Sequence, residues 1–165
     1  MARIRSQQPV LPSLLDRLLD DDPLAQEDHH KAATTTLTDA KASIRRDLEN
    51  LLNTRLYRQQ SIKPYPELQT SLANYGLPDF STVLLGSAEH RERFRQVLQT
   101  TITRFEPRLR RVHVEVAQSN EEYDRTLYLK ITALLMIEPD PVPLLFDSRL
   151  RALDRAVKLR ELRHG

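Results

Sequence analysis

Carboxylates at the predicted ends of helices and strands are the residues best suited to chemistry in this sequence. Three of them, Glu106, Glu138 and Asp147, could supply the facing pair of carboxyl groups that a glycosidase places about 5 to 9.5 Å apart. Glu106, however, is followed two residues later by Arg108. A neighbouring arginine stabilises the ionised carboxylate and lowers its pKa, which suits an ion pair better than a general acid. The sequence therefore favours a salt bridge between Glu106 and Arg108 over catalysis.

Other residue types that carry enzyme chemistry are scarce or unsuitably spaced. The chain has no cysteine, which excludes disulfides, thiol catalysis and cysteine-based metal centres. Its five histidines show no metal-ligand spacing such as HExxH, and no G-x-S-x-G motif presents a nucleophilic serine. The three glycines lie too far apart for a Gly-rich phosphate loop. We therefore expect no enzyme activity, no metal site and no cofactor.

Charge is distributed unevenly along the 165 residues, a length that suits one domain. The formal net charge is only +2, but residues 14–28 hold six acidic side chains and one basic one, whereas residues 149–165 hold six basic and two acidic ones. Each end could be an ordinary solvated helix or a surface for a separate partner. The basic end leaves nucleic-acid binding open as an alternative, but the arginines lack interleaved aromatic residues. We expect protein partners and no nucleic acid.

Residues 1–36 predict a short amphipathic helix followed by a polar linker, AQEDHHKAATTT. The apolar stripe of the helix is formed by four leucines at helical spacing: Leu14, Leu15, Leu18 and Leu19. Such a helix either folds back on its own domain or docks in a partner's groove, and both remain open. The chain has no apolar stretch long enough for a membrane span and no signal-peptide core at its start. A cytoplasmic protein without direct membrane insertion is expected.

A single domain is predicted for residues 37–150, and it begins with helices. Apolar residues at helical spacing predict a helix from residue 37 to about residue 53, and a second that is capped by Ser87 and stopped by Pro107. Between them, three prolines and the turn motif NYGLPD predict irregular chain. A helix of one or two turns is expected to end near Leu85.

The period of the apolar residues then changes from helical to alternating. Val112, Val114 and Val116 alternate with His113 and Glu115, which predicts a half-buried strand. Neither a proline nor an evident bulge protects this strand, which we expect at the edge of a sheet. An unprotected edge is either covered by another part of the chain or used to pair with a strand from another protein.

Two further strands complete a predicted three-stranded antiparallel meander. TLYLKITALLMIE becomes apolar on both faces, which places the second strand in the middle of the sheet. VPLLFD forms the third strand, where Pro143 favours an edge because proline cannot donate to a ladder. Residues 151–165 are expected to form a basic helical tail. The predicted fold class is α+β, with N-terminal helices packed on the sheet.

Several short motifs follow one another between Leu14 and Leu150: LLDRLLDDDP, SIRRDLENLLNTR, NYGLPD, FEPRL, a long strand ending in EP, and PVPLLFDSRL. In this order they resemble the TssE family, the baseplate wedge subunits of the type VI secretion system. That family is related to the lysozyme-like wedge proteins of contractile phage tails. The resemblance covers most of the chain.

The resemblance implies a structural subunit in which Glu106, Pro107 and Arg108 support a strand edge that the first ring of the contractile sheath uses for assembly. It also implies that the leucine helix contacts wedge subunits of the TssF, TssG and TssK class, and that sheath subunits of the TssB/TssC class bind the domain. The setting would be a membrane-docked baseplate in the cytoplasm of a Gram-negative bacterium. The alternative is a lysozyme-like peptidoglycan hydrolase that pairs Glu106 with Asp147 or Glu138.

Overall fold

A computed structural model describes residues 36–56, 66–78, 87–118, 127–137, 140–150 and 157–162. Within these ranges the chain forms two α-helices, two short 3-10 helices and a four-stranded antiparallel sheet, which confirms the α+β class. Some predictions concern residues outside the described ranges. They are the leucine helix with Leu14, Leu15, Leu18 and Leu19, its linker up to residue 35, the short helix ending near Leu85, and Glu138.

Helix α1 (Leu37–Asn53) begins at a capping box. The Thr36 hydroxyl accepts a hydrogen bond from the Asp39 N–H at 3.3 Å, and the Asp39 carboxylate accepts one from the Thr36 N–H at 3.2 Å. These bonds satisfy donors that the start of a helix would otherwise leave free. One face of α1 is buried, and it carries Leu37, Ile44, Leu48, Leu51 and Leu52. The helix predicted from the apolar spacing is confirmed.

The chain after α1 returns to the end of that helix through a glycine turn. Two 3-10 helices, Pro66–Thr70 and Leu72–Asn74, precede Gly76, whose φ is +110°. A Cβ at Gly76 would lie 2.5 Å from the carbonyl oxygen of Thr54, so only glycine fits without a shift of the backbone. The Leu77 N–H then donates to that same Thr54 carbonyl at 2.8 Å. The turn predicted from NYGLPD is thus held against α1.

Helix α2 (Ala88–Phe105) begins at Ser87, whose hydroxyl accepts a hydrogen bond from the His90 N–H at 3.1 Å. Its buried residues are Phe94, Leu98, Thr101 and Ile102. The predicted cap and apolar face are both confirmed. The helix packs on the first strand of the sheet, so its C-terminal end determines where that strand begins.

The sheet has the strand order β1-β2-β3-β4, with every neighbouring pair antiparallel. The strands are β1 (Leu109–Gln118), β2 (Leu127–Leu135), β3 (Val142–Leu150) and β4 (Arg160–Glu161). Alternate residues of β2 are buried, and four of them belong to the core that the two helices share: Leu129, Ile131, Ala133 and Leu135. The central position predicted for the second strand is confirmed.

The fourth strand corrects the predicted three-stranded sheet. The prediction of a helical tail over residues 151–165 is wrong for residues 157–162, which are extended and include β4. Val157 and Leu159 are buried while Lys158 and Arg160 are exposed, which is the alternation of a strand. Residues 151–156 and 163–165 lie outside the described ranges.

Hydrogen bonds to α1 and β3 explain why residues 157–162 are extended. The Asn53 side chain donates to the Val157 carbonyl at 2.9 Å and accepts from the Val157 N–H at 2.6 Å. The Leu159 N–H donates to the Glu49 carboxylate at 2.8 Å. The Ser148 hydroxyl donates to the Lys158 carbonyl at 2.7 Å, so this serine has a structural partner. We call residues 157–162 the C-terminal clasp.

Pro143 lies in a part of β3 that the clasp does not reach. In the described ranges it is opposite Leu134 of β2, whereas β4 pairs with Phe146 and Asp147. The edge position inferred from Pro143 therefore holds for the start of β3 only. Further along, the clasp covers this side of the sheet.

Candidate functional site

The segment Glu106–Pro107–Arg108 forms the corner between the end of α2 and the start of β1. The Glu106 N–H donates to the Ile102 carbonyl at 2.9 Å, which completes the last helical turn. The Glu106 carbonyl accepts from the Leu109 N–H at 3.1 Å, which closes the turn into β1. Pro107 is exposed and cannot continue the helix, because it lacks an N–H. The backbone of Glu106 therefore couples the direction of β1 to that of α2.

The side chain of Glu106 makes a two-pronged ion pair with Arg108. Arg108 Nε lies 2.7 Å from Glu106 Oε1, and Arg108 Nη2 lies 2.6 Å from Glu106 Oε2. The Arg108 backbone N–H also donates to Oε1 at 3.3 Å. Glu106 is only 5% exposed, so this carboxylate has exchanged water for the guanidinium. The salt bridge predicted from the sequence is confirmed.

Arg108 also reaches across to α1. Its Nη2 donates to Asp47 Oδ2 at 2.6 Å, and its Nη1 lies 3.4 Å from the Ser43 hydroxyl. One guanidinium thus joins α1 to the α2–β1 corner through two carboxylates. We call Glu106, Arg108, Asp47 and Ser43 the ion-pair corner.

The sequence prediction did not include Asp47 or Ser43. Both lie on α1 beside the buried residues Ile44 and Leu48, and Ser43 is itself buried. The sequence signal that could have identified them is a serine and an aspartate four residues apart on the apolar side of a helix, since side chains with that spacing share a face. Their partner Arg108 could not be inferred from the local sequence, because it is 61 residues from Asp47.

The charges of the ion-pair corner contribute to raised pKa values of Arg108 and of the neighbouring Tyr75. The hydrogen bond with Glu106 is the largest cause of a raised Arg108 pKa; partial burial opposes it and the Asp47 carboxylate adds to it. Burial raises the pKa of the nearby Tyr75 hydroxyl, and the negative charges of Asp47 and Glu106 raise it further. The Tyr75 ring packs edge to face on Phe105, with centroids 5.3 Å apart. Arg108 is therefore a permanent cation held in place by two carboxylates.

This geometry is poorly suited to the hydrolase alternative. Both carboxylate oxygens of Glu106 accept hydrogen bonds from the Arg108 guanidinium, so the group is already engaged in an ion pair within the domain. Asp147 lies on β3, opposite Lys130 of β2 and Arg160 of β4 in the sheet register. In the described ranges, no group of three histidine, aspartate or glutamate side chains is arranged to hold a metal ion.

Strand β1 begins at the ion-pair corner and forms one edge of the described sheet. Val112 and Val114 are buried and Val116 is half-buried, whereas His113 and Glu115 are exposed, as the alternation predicted. Glu115 is flanked on the solvent face by Lys130 Nζ at 3.5 Å and His113 Nε2 at 3.7 Å. The predicted edge strand is therefore confirmed.

A β-bulge in β1 corrects the prediction of an edge without irregularity. The register with β2 shifts between Arg110 and His113, and Arg111 has a φ of +51°, in the left-handed region. The extra residue lets Leu109 and Val112, which are three positions apart, both face the core. A regular strand would turn one of them to solvent. Regular pairing with β2 then runs from His113 to Gln118, which we call the β1 edge.

The fold and the corner together define a small α+β domain whose first strand is fixed in direction and lies at a sheet edge. Residues 38–140 match the sequence profile of a family described as "Baseplate wedge protein gp25". Because this match covers more than half of the chain, the chain belongs to that family. The resemblance to baseplate wedge proteins inferred from the motifs is confirmed.

Two further comparisons complete this result. The chain is similar to one in a solved structure titled "The baseplate complex from the type VI secretion system", with 19% sequence identity and a TM-score of 0.47 over 77% of this chain and 97% of that one. No curated protein matches.

Among the described residues, no helix combines the length and apolar character needed to cross a membrane.

Proposed function

We propose that this protein is the structural subunit of a type VI secretion baseplate that connects the wedge complex to the contractile sheath. In this proposal the β1 edge pairs with an extended segment of a sheath subunit of the TssB/TssC class and templates the first sheath ring. The observation that carries the proposal is the position of β1: it is the edge strand, and it begins at the ion-pair corner.

The β1 edge has the properties that strand addition requires. In an antiparallel ladder, alternate residues direct their N–H and C=O groups to the neighbouring strand, and the others direct them outward. Outward groups of an edge strand are a template for another chain. His113 and Glu115 on the solvent face are polar but do not block the approach of a strand within the sheet plane. The bulge at Arg111 ends the regular edge on one side, which limits pairing to residues 113–118.

The ion-pair corner has a supporting role in this proposal. It connects α1, α2 and the start of β1, so it fixes the angle at which the edge leaves the helices. Removing one partner of a buried ion pair leaves the other without compensation, which costs about 3–5 kcal/mol in fully buried cases. Arg108 is partly exposed, and we expect a smaller loss here. A displaced β1 would present its amides at the wrong angle to the sheath.

The N-terminal leucines would provide the other half of the connection. Leu14, Leu15, Leu18 and Leu19 are proposed to contact wedge subunits of the TssF, TssG and TssK class through one apolar helix face. With one partner at each end, the protein would act in a membrane-docked baseplate on the cytoplasmic side of a Gram-negative cell. No catalytic step is needed for this role.

A proline substitution tests the edge directly. Val116→Pro removes an N–H that the alternation directs away from β2, so it should leave the ladder with β2 intact and disturb only pairing with a visiting strand. Val116→Ala is the control, since it also removes the branched valine side chain but keeps the N–H. Sheath formation on assembled baseplates, counted by electron microscopy, should be lost with the proline variant and kept with the alanine variant. Equal sheath formation by two folded variants would refute the edge proposal.

A further inference from the structure

One outward amide of the β1 edge already has a partner within the chain. The Val114 N–H donates to the side-chain oxygen Oε1 of Gln99 on α2, at an N···O distance of 3.4 Å. Val114 is opposite Ile131 in the register with β2, yet its N–H bonds to the helix. This N–H therefore belongs to the outward row of the strand, the row that a visiting strand would use.

Gln99 is held in this position by charged neighbours on α2. Arg95 Nη1 donates to the same Gln99 oxygen at 2.9 Å. Arg95 is in turn fixed by Glu92, through contacts of 2.8 Å and 2.7 Å to the two carboxylate oxygens. The three side chains lie three and four positions apart, the spacing at which side chains meet on a helix surface. The Gln99 oxygen is thus aimed at β1 by an ion pair.

The bond to Val114 is long for an amide N–H to oxygen contact, for which about 2.9–3.0 Å is usual. Its acceptor is also shared with Arg95, and Gln99 is only half-buried. Val114 itself is fully buried, so the carboxamide must move aside before water or another strand can reach this amide. A backbone carbonyl of an added strand would bind the same N–H at normal ladder distance and leave Gln99 paired with Arg95.

We propose that Gln99 is a removable cap on the β1 edge. It occupies the Val114 N–H while the edge is free, and it yields that N–H to the carbonyl of the incoming strand. Capping lowers the tendency of a free edge to pair with unrelated chains, which is the hazard of an exposed edge strand. This inference rests on the proposed function, because it assigns a residue that controls access to the same edge.

Two substitutions change the cap in opposite directions. Gln99→Leu keeps a similar size but has no acceptor, so the Val114 N–H becomes uncapped. Gln99→Glu supplies a charged acceptor that also pairs with Arg95, so the cap becomes stronger. Amide hydrogen exchange of the full-length protein, followed by NMR, should be about 2- to 10-fold faster at Val114 in the leucine variant and slower in the glutamate variant. The amides of His113 and Glu115, which face β2, are the internal control and should not change.

Sheath nucleation rates on baseplates provide the second measurement. The leucine variant should nucleate sheaths at least as fast as the wild type, and the glutamate variant more slowly. Unchanged exchange at Val114 in both variants would overturn the cap, and so would a glutamate variant that exchanges more slowly at Val114 but nucleates sheaths at the wild-type rate. In either case a loss of sheaths with Val116→Pro would leave the proposed function standing. Normal sheaths with Val116→Pro would instead count against that function itself.

Discussion

The Arg108 guanidinium binds Asp47 Oδ2 at 2.6 Å and so connects two segments that are 61 residues apart in the chain. The same nitrogen lies 2.6 Å from Glu106 Oε2. Arg108 is therefore shared by a carboxylate of its own turn and one of a separate helix. The first contact shapes the turn, and the second attaches that turn to the rest of the domain.

Removing the contact with α1 should weaken the domain without unfolding it. We expect Asp47→Ala to lower the free energy of unfolding by about 1–3 kcal/mol, because Arg108 keeps Glu106 but loses one charge-assisted hydrogen bond. Urea denaturation measures this loss. Asp140→Ala, which changes an exposed aspartate, is the control and should stay within about 0.5 kcal/mol of the wild type. A double-mutant cycle with Arg108→Ala should give a coupling energy above about 0.5 kcal/mol, and additive losses would contradict the contact.

A lysine should not replace Arg108, although it keeps the charge. The guanidinium donates from Nε and Nη2 to Glu106 and from Nη2 to Asp47, and a single ammonium cannot reproduce that fork. We expect Arg108→Lys to cost about 1–2 kcal/mol of stability and to reduce sheath assembly on baseplates. Arg93→Lys on the exposed side of α2 is the matched control. Full sheath assembly with Arg108→Lys would show that the charge alone is sufficient.

The elements of this domain that depend on local patterns could be predicted from the sequence. Apolar spacing around Ile44 and Leu48 identified α1, and alternation around Val114 identified β1. The Glu106–Arg108 ion pair was also predictable, since its partners are two residues apart. These features share one property: the interactions that stabilise them lie within a few residues.

Features that depend on distant partners could not be predicted in the same way. The residues around Asp47 give no sign of its partner, because Arg108 is 61 residues away in the chain. Residues 157–162 are part of the predicted basic helical tail, but Asn53 and Glu49 bind their backbone and hold it extended. The bulge at Arg111 follows from the need to bury both Leu109 and Val112, which the sequence alone does not reveal. Tertiary contacts override local preference in each case.

The C-terminal clasp should be released by one substitution on α1. The Asn53 side chain makes two hydrogen bonds to the Val157 backbone, one as donor and one as acceptor, and alanine can make neither. We expect Asn53→Ala to cost about 1–3 kcal/mol and to expose Val157 and Leu159 to solvent. Faster amide exchange at Leu159 and Leu162, with Val114 unchanged, would report local release. Uniform exchange changes would instead indicate that the clasp does not open separately.

The ion pair between Glu92 and Arg95, which positions Gln99, should persist at low pH. Hydrogen bonds from Arg95 and then from Gln96 lower the pKa of the Glu92 carboxyl from 4.5 to about 2. Because this pKa is lower in the folded state, the pair favours folding above a pH of about 4.5, and its contribution is lost as the pH falls towards 2. The carboxylate is exposed, so its effect on stability is small and decreases with salt. NMR titration of Glu92 should therefore give a midpoint near 2 in the wild type and a return towards 4.5 in Arg95→Ala. A wild-type midpoint near 4.5 at low salt would mean that Glu92 does not hold Arg95 in place beside Gln99.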